Sequence, residues 1–354
     1  MSIKILINNR ECEGEFGQTI LEIARKHSIE IPALCWHSEL RPYGACRLCI
    51  VEVKGEKRPV ASCSYQITKE IEVFTKTAEI VRMRKNILSL LLSNHPADCM
   101  TCEKSGDCLL EKYAYEYGIR RSVFSGEKSK AGEKNGRPFI IRDYEKCIVC
   151  GKCVRVCEEI AGANAIDFGW RGFDVQIISG FDASLKDSGC LFCGNCVEIC
   201  PVGALRELNA EGKGRVWEFS KIKTICPYCG VGCKIVVSVR NNNIVKVNGD
   251  ESSPVNRGFL CIKGKFGFEY VSHPDRLRVP LARSSGSKTE PPVFNEVDWD
   301  TALGIAAEKL RQTREQHGPD SIGVLTSAKC LNEENYLMNK FARQVIGTNS
   351  IDHC

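Results

Sequence analysis

Cys147-Ile-Val-Cys150-Gly-Lys-Cys153-Val-Arg-Val-Cys157 and Cys190-Leu-Phe-Cys193-Gly-Asn-Cys196-Val-Glu-Ile-Cys200-Pro201 repeat one pattern, C-x2-C-x2-C-x3-C, within residues 138–208. Two such runs close together wrap two [4Fe–4S] clusters, and the fourth cysteine of each run ligates the other cluster. The expected ligand sets are therefore Cys147, Cys150, Cys153 and Cys200 for one cluster, and Cys190, Cys193, Cys196 and Cys157 for the other. The first run has Glu158 where the second has Pro201.

These eight belong to 22 cysteines in 354 residues. In a small secreted chain that number would mean disulfides. Here the opening MSIKILINNR lacks the apolar core of a signal peptide, Arg120-Arg121 lies far from the N-terminus, and no apolar run is long enough to span a bilayer. A cytoplasmic, reducing setting is the expectation, and with it metal ligation in place of disulfides. The formal charge of +5 raises nucleic acid as a partner. The basic residues are scattered without a continuous Lys/Arg stripe, and thiolate-bound clusters would cancel the excess, so no nucleic-acid partner is expected.

Three further constellations have cluster-like spacing. Cys35-x10-Cys46-x2-Cys49-x13-Cys63 fits a [2Fe–2S] site on a β-grasp ferredoxin-like domain; Gly44 and Ala45 are small where backbone must wrap around sulfur. A zinc site would show two tight CxxC-type pairs, and here only one pair is tight. His95-x3-Cys99-x2-Cys102-x5-Cys108 reads as a [4Fe–4S] site in which one imidazole replaces a thiolate, against the alternative of a zinc knuckle. Cys226-Pro-Tyr-Cys229-Gly-Val-Gly-Cys233, closed by Cys261, reads as a fifth site, with Gly230 and Gly232 permitting turns around a cubane. Nineteen cysteines and one histidine are thus assigned; Cys12, Cys330 and Cys354 remain, Cys12 as a small thiol in a strand. Lys263, two residues after Cys261, reads on its own as a solvated lysine.

Between these motifs the patterning is mixed. Residues 3–7, the turn at Asn8-Asn9-Arg10 and a second strand form a hairpin, and Thr19-x-x-Glu22 opens a helix as a capping box. Strands are expected near 48–53 and 70–74, helices over 79–93 and 107–117, and an exposed linker over 125–137. Residues 234–239 and 244–247 flank an Asn-rich turn. Asp300 is expected to cap a helix reaching about residue 316, before a buried strand at 322–326 and a helix at about 333–346, an α/β alternation.

The [2Fe–2S] domain, the domain with one His and three Cys ligands and the double ferredoxin module resemble the front of two families, large NAD-linked [FeFe]-hydrogenases and NAD-dependent formate dehydrogenases. The hydrogenase active-site motifs that would follow them are missing from this sequence. The large subunit of respiratory complex I is similar through Cys157. CPYCGVGC with Cys261 resembles the [4Fe–4S] domain of molybdopterin oxidoreductases, and the tail Asn332-Glu-Glu-Asn-Tyr336 with Gly347–Cys354 resembles formate dehydrogenase catalytic subunits. The resemblance implies an α+β multi-domain chain: a β-grasp [2Fe–2S] ferredoxin (1–78), a helical [4Fe–4S] domain with one His and three Cys ligands (79–118), a linker (119–137), a double [4Fe–4S] ferredoxin module (138–208), a molybdopterin oxidoreductase [4Fe–4S] domain (219–275) and the start of an α/β catalytic domain (276–354). It implies one [2Fe–2S] and four [4Fe–4S] clusters, and a Mo or W bis-molybdopterin guanine dinucleotide in the complete enzyme. Lys263 would then sit between the fifth cluster and the pterin as an electron relay.

Partners implied are diaphorase-type NAD(P)/flavin subunits or ferredoxin, and the remaining catalytic portion as a separate chain. In formate dehydrogenases the metal-ligating Cys or selenocysteine follows the position of Cys354, which itself matches an earlier Cys. This chain alone is therefore expected to transfer electrons without oxidising formate. The rival expectations are a non-catalytic relay subunit of a complex I-type NADH dehydrogenase and a zinc-loaded scaffold.

Overall fold

The computed structural model describes residues 2–128, 139–180, 183–284 and 292–353. Residues 129–137 of the expected linker, and Cys354, lie outside them. The chain divides into two compact units: Met1–Ile222, Val237–Asn248 and Phe259–Lys265 form the first, and Lys223–Val236, Gly249–Gly258 and Phe266–Cys354 the second.

The first unit opens with β1 (Ser2–Ile7) and β2 (Arg10–Glu15), paired antiparallel with Ile5 opposite Cys12. Asn8 and Asn9 both adopt left-handed conformations, at φ 50° and 65°, as a two-residue hairpin turn requires. Helix α1 (Ile20–Lys26) starts at the capping box: the Glu22 amide donates to Thr19 Oγ1 at 3.3 Å and the Thr19 amide to Glu22 Oε2 at 2.7 Å. Strands β3 (Ile50–Val53), β4 (Val60–Ala61) and β5 (Glu72–Phe74) complete a mixed sheet of order β2-β1-β5-β3-β4. In β1, Ile5 and Ile7 are buried while Lys4 and Leu6 are exposed, so alternate residues pack with Ile20, Leu21, Ile23 and Val73. Cys12 is fully buried in that core.

Helix α2 (Ala78–Asn94) is capped by Thr77, whose Oγ1 accepts from the Ile80 amide, and α3 (Leu109–Glu116) by the sulfur of Cys108. Arg84 of α2 is fully buried; it donates to the carbonyls of Leu48, Ile50 and Thr75 and to the Tyr117 hydroxyl, which ties α2 to the sheet domain.

The duplicated cysteine runs fold as two like halves. One is β6 (Ile140–Arg142), a cysteine loop, α4 (Lys152–Glu159) and β7 (Ile166–Gly169). The other is β8 (Gln176–Ser179), a loop, α5 (Asn195–Ile199) and β9 (Leu205–Glu207). Strands pair across the halves, β6 with β9 and β7 with β8, both antiparallel. Then β10 (Ser220–Ile225), β11 (Lys234–Arg240) and β12 (Asn243–Gly249) form a sheet in that order, and α6 (Ile262–Phe266) follows.

In the second unit β13 (Leu281–Arg283) pairs with β14 (Phe294–Glu296). Helix α7 (Trp299–His317) is capped by Asp298 and not by Asp300: Asp298 has extended backbone and accepts the Thr301 amide at 2.7 Å, whereas Asp300 already lies in the first turn. β15 (Val324–Thr326) runs parallel to β16 (Ile351–His353), joined through α8 (Asn332–Lys340). Two expectations change here. The helix read over 333–346 is α-helical only to Lys340 and continues as a π-helical turn, Phe341–Ile346, ending at left-handed Gly347. The strand read as buried is covered on one side, with Val324 buried and Leu325 83% exposed.

Candidate iron–sulfur sites

The two long runs adopt the same backbone. In the first loop Val149 has φ 50° and Gly151 φ 72°; in the second Phe192 has φ 48° and Gly194 φ 77°. A left-handed β-branched residue costs about 1–2 kcal/mol, and strain of this kind persists where surrounding structure imposes it. It turns the Val149 amide onto Cys147 Sγ and the Phe192 amide onto Cys190 Sγ, each at 3.4 Å. The Ala165 amide donates likewise to Cys157 Sγ. Gly151 and Gly194 then begin α4 and α5, which carry Cys153, Cys157 and Cys196.

All eight cysteines line one cavity, walled mainly by apolar side chains including Ile140, Val156, Ile166 and Val202. Burial pushes the Cys147 thiol up to about 11 and Cys150 to about 12, and raises Cys153 and Cys196. Cys200 adds to the rise at Cys147, Cys150 and Cys153, and Cys157 adds to it at Cys190, Cys193 and Cys196. Each fourth cysteine thus lies beside the other run's first three. Soft donors crowded into an apolar cavity suit an iron cluster, whose positive charge offsets the thiolates' desolvation.

At the Cys35 loop, the Cys46 amide faces Cys35 Sγ at 3.5 Å and the Leu34 amide faces Cys46 Sγ at 3.4 Å. The Cys46 thiol's hydrogen bond pulls Cys35 below the ordinary thiol range, and the Cys63 thiol's does the same for Cys49. Cys35 also acts electrostatically on Cys49 and Cys63, so all four sulfurs are gathered. Arg47, between Cys46 and Cys49, is left-handed at φ 57°.

His95 ends α2. Its Nδ1 donates to the Pro96 carbonyl at 2.9 Å, which leaves Nε2 as the lone-pair nitrogen. That Nε2 is buried and has no hydrogen-bond partner among the described residues. Burial lowers the His95 pKa and favours the neutral ring. An orphaned imidazole nitrogen is what a metal ligand looks like before its metal. Cys102 is buried and Cys108 partly so, while Cys99 is exposed. A Cβ on Gly203 would lie 2.9 Å from Cys102 Sγ, so the segment after Cys200 runs directly against this site.

Cys46, Cys108, Cys147 and Cys200 all pack on one apolar cluster with Leu34, Leu48, Leu88 and Leu110. The Cys35 site therefore borders the ferredoxin-type module itself, as well as the His95 site.

Of the fifth set, Cys226, Cys229 and Cys233 lie in the second unit, where the Cys226 amide donates to the Cys233 carbonyl. Gly232 is left-handed at φ 71° as expected; Gly230 serves a close approach instead, since a Cβ there would meet Asn332 Oδ1 at 2.6 Å. Asn332 Nδ2 in turn donates to the Gly230 carbonyl. Cys261 lies in the first unit at the start of α6, where it acts electrostatically on Cys193. Lys263 is exposed on α6.

No group of three or more His, Cys, Asp or Glu side chains among the described residues is arranged to hold a single metal ion. The described cysteines are all free thiols. Among the described residues no helix is long and apolar enough to cross a membrane.

Six buried cations among the described residues escaped the sequence reading: Arg84, Arg142, Lys146, Lys152, Arg155 and Lys265. Lys265 is 1% exposed between Glu198 Oε2 and Glu207 Oε1, each at 2.7 Å. Nothing in Cys261-Ile262-Lys263-Gly264-Lys265-Phe266 separates buried Lys265 from exposed Lys263 at the level of sequence.

The chain matches five families in succession: the 2Fe-2S iron–sulfur cluster binding domain over residues 1–78, the NADH-ubiquinone oxidoreductase-G iron–sulfur binding region over 84–122, the ferredoxin-like domain of NADH-quinone oxidoreductase subunit 3 over 137–206, the molybdopterin oxidoreductase Fe4S4 domain over 219–273 and molybdopterin oxidoreductase over 276–354. It is 37% identical over 350 residues to the alpha subunit of NADPH-Fe(3+) oxidoreductase of Geobacter sulfurreducens, covering 99% of this chain and 40% of that one. A candidate formate dehydrogenase of Staphylococcus aureus is 31% identical over 389 residues, covering 99% and 39%. The chain thus spans about two fifths of the length of these relatives. A crystal structure of NAD+-reducing [NiFe]-hydrogenase superposes with a TM-score of 0.57 at 33% identity, covering 61% of this chain and 92% of that one.

Proposed function

Because the chain belongs to the molybdopterin oxidoreductases whose front carries iron–sulfur domains of the NADH-quinone oxidoreductase type, we propose that it is the electron conduit of a formate dehydrogenase or CO2 reductase. It would link a Mo or W pterin site to a diaphorase-type NAD(P) partner or to ferredoxin. The observation that carries the conduit reading is the cavity lined by eight cysteines from two loops of like backbone. Formate as substrate rests on the resemblance of Asn332–Tyr336 and Gly347–Cys354 and on the Staphylococcus aureus relative.

In this reading the cysteine sets and His95 hold one [2Fe–2S] and four [4Fe–4S] clusters, which supply one-electron redox capacity when bound. The residues' own work is to keep those sites close and dry. Amides of Val149, Phe192 and Ala165 hydrogen-bond to the sulfurs and stabilise their negative charge. The apolar wall lowers the local dielectric and limits water. His95 offers a neutral nitrogen where the other sites offer thiolate, which makes that site less negative. Lys263, two residues beyond Cys261, is assigned the place between the fifth site and the pterin on the resemblance alone.

Two measurements test this. The purified chain, reconstituted with iron and sulfide, should bind enough of both for one [2Fe–2S] and four [4Fe–4S] clusters; a zinc-loaded, colourless product refutes the conduit. The whole protein, assayed with formate and an NAD(P) or viologen acceptor, should turn over. A second reading, a non-catalytic relay subunit of a complex I-type NADH dehydrogenase, is favoured by the matches over 84–122 and 137–206. It predicts electron uptake from NADH with no response to formate.

A further inference from the structure

Arg155 lies on α4 between Cys153 and Cys157, yet its guanidinium serves a different loop. It is 7% exposed. Nη2 donates to the carbonyl of Cys35 and Nη1 to that of Arg41, both at 2.5 Å, and the group lies 5.1 Å from the Tyr43 ring centroid. The same loop is docked on the same module three more times. The Arg41 amide donates to Glu159 Oε2 at 2.8 Å, Tyr43 stacks on Phe168 at 6.3 Å, and Leu40 packs with Val156 and Ile199. Arg155 Nε is buried without a hydrogen-bond partner, and among the described residues no carboxylate forms an ion pair with the guanidinium. Its charge is met by carbonyl dipoles and a ring face. A buried cation left uncompensated by side chains is costly, and an anionic group nearby would relieve it. The four sulfurs of Cys35, Cys46, Cys49 and Cys63 are that group, and Arg155 already acts electrostatically on Cys35.

We propose that Arg155 is the positioning residue of the junction between the Cys35 site and the ferredoxin-type module, holding the Cys35 loop on α4 and setting a positive charge beside the [2Fe–2S] cluster that favours its reduced form. The inference rests on the reading of Cys35, Cys46, Cys49 and Cys63 as that cluster's ligands. The step it serves moves one electron between the two sites: one site is oxidised, the other reduced, and no bond or proton changes. The planar fork fixes geometry and the charge fixes driving force, so two substitutions separate them. Arg155→Gln removes the charge, and Arg155→Lys keeps the charge but loses the two-armed clasp.

The test uses the full chain reconstituted with iron and sulfide, with iron content checked for each variant. Reductive titration followed by EPR reads the [2Fe–2S] midpoint, and the dipolar broadening between reduced sites reads their separation. R155Q should make reduction of the [2Fe–2S] site harder by on the order of tenfold, about 59 mV for a one-electron couple. R155K should stay near the parent midpoint while the dipolar broadening to the neighbouring [4Fe–4S] site changes. Parent-like midpoint and broadening in both variants overturn the proposal, and equal midpoint shifts in the two overturn the role of charge. A parent chain that binds iron but shows no [2Fe–2S] signal refutes the ligand reading itself, and the proposal falls with it.

Discussion

Replacing Lys265 by Met would leave Glu198 and Glu207 facing each other across an apolar side chain. Both carboxylates now bind the ammonium at 2.7 Å, and the three side chains are 1%, 18% and 5% exposed for Lys265, Glu198 and Glu207. Asn248 Nδ2 would still donate to Glu198, but Glu207 Oε2 already has no partner among the described residues. Removing one member of a buried pair costs about 3–5 kcal/mol, because the partner charge stays desolvated and unmet. A cost of that size is a large part of the roughly 5–15 kcal/mol that holds an ordinary domain together. It should fall locally, since Glu198 sits on α5 between Cys196 and Cys200 and Glu207 ends β9. Amide hydrogen exchange on the full chain, resolved by peptide, is the assay. Protection of Asn195–Ile199 and Leu205–Glu207 should drop by about two to three and a half decades, at roughly 1.4 kcal/mol per decade. The β1–β5 sheet should be unaffected. Adding Glu198→Leu and Glu207→Leu to K265M should restore much of the protection, since an apolar replacement of all three charges is often neutral or better. Unchanged exchange in K265M refutes the claim that this triad holds α5 to α6.

Other perturbations reach the remaining sites. Gly203→Ala puts a methyl 2.9 Å from Cys102 Sγ, so iron bound at the His95 site should fall while the other sites stay filled, as measured by iron content and Mössbauer spectra. His95→Cys should keep iron but shift that site's midpoint negative in EPR titration, because a thiolate adds charge where Nε2 has none. Gly249→Ala drives a Cβ into the Gly258 carbonyl, backbone against backbone, and should destabilise the second unit by about 2 kcal/mol or more in urea unfolding. Asp250 is held at about 2, below its ordinary 3.8, by hydrogen bonds from Ser252 and Lys223. A depressed carboxyl stabilises fully above 3.8 and loses that contribution as pH falls through about 2. Asp250→Asn should therefore flatten the acid limb between those values in a circular-dichroism titration of the cluster-free chain.

The cysteine spacings could be read directly because a cluster needs several donors from a short loop, and short loops are written consecutively. C-x2-C-x2-C-x3-C dictates loop, turn and helix in one stretch, and the left-handed residues at 149, 151, 192 and 194 follow from fitting that stretch around sulfur. The hairpin at Asn8-Asn9 and the capping box at Thr19 were equally local and equally legible. Helix ends were less so: whether Asp298 or Asp300 caps α7 depends on which residue is extended, and both are good caps in sequence.

What only the tertiary structure decided is where the charges between the loops go. Arg155 looks like one more helix residue between two cysteines, and Lys265 like the twin of exposed Lys263. Their partners, Cys35 and Arg41 for the one, Glu198 and Glu207 for the other, lie far away in the chain. Nothing in the sequence near them records those contacts. Ligand sets come from short-range geometry that a sequence spells out, whereas the burial of a charge is a property of the space around it, which exists only once distant segments have packed.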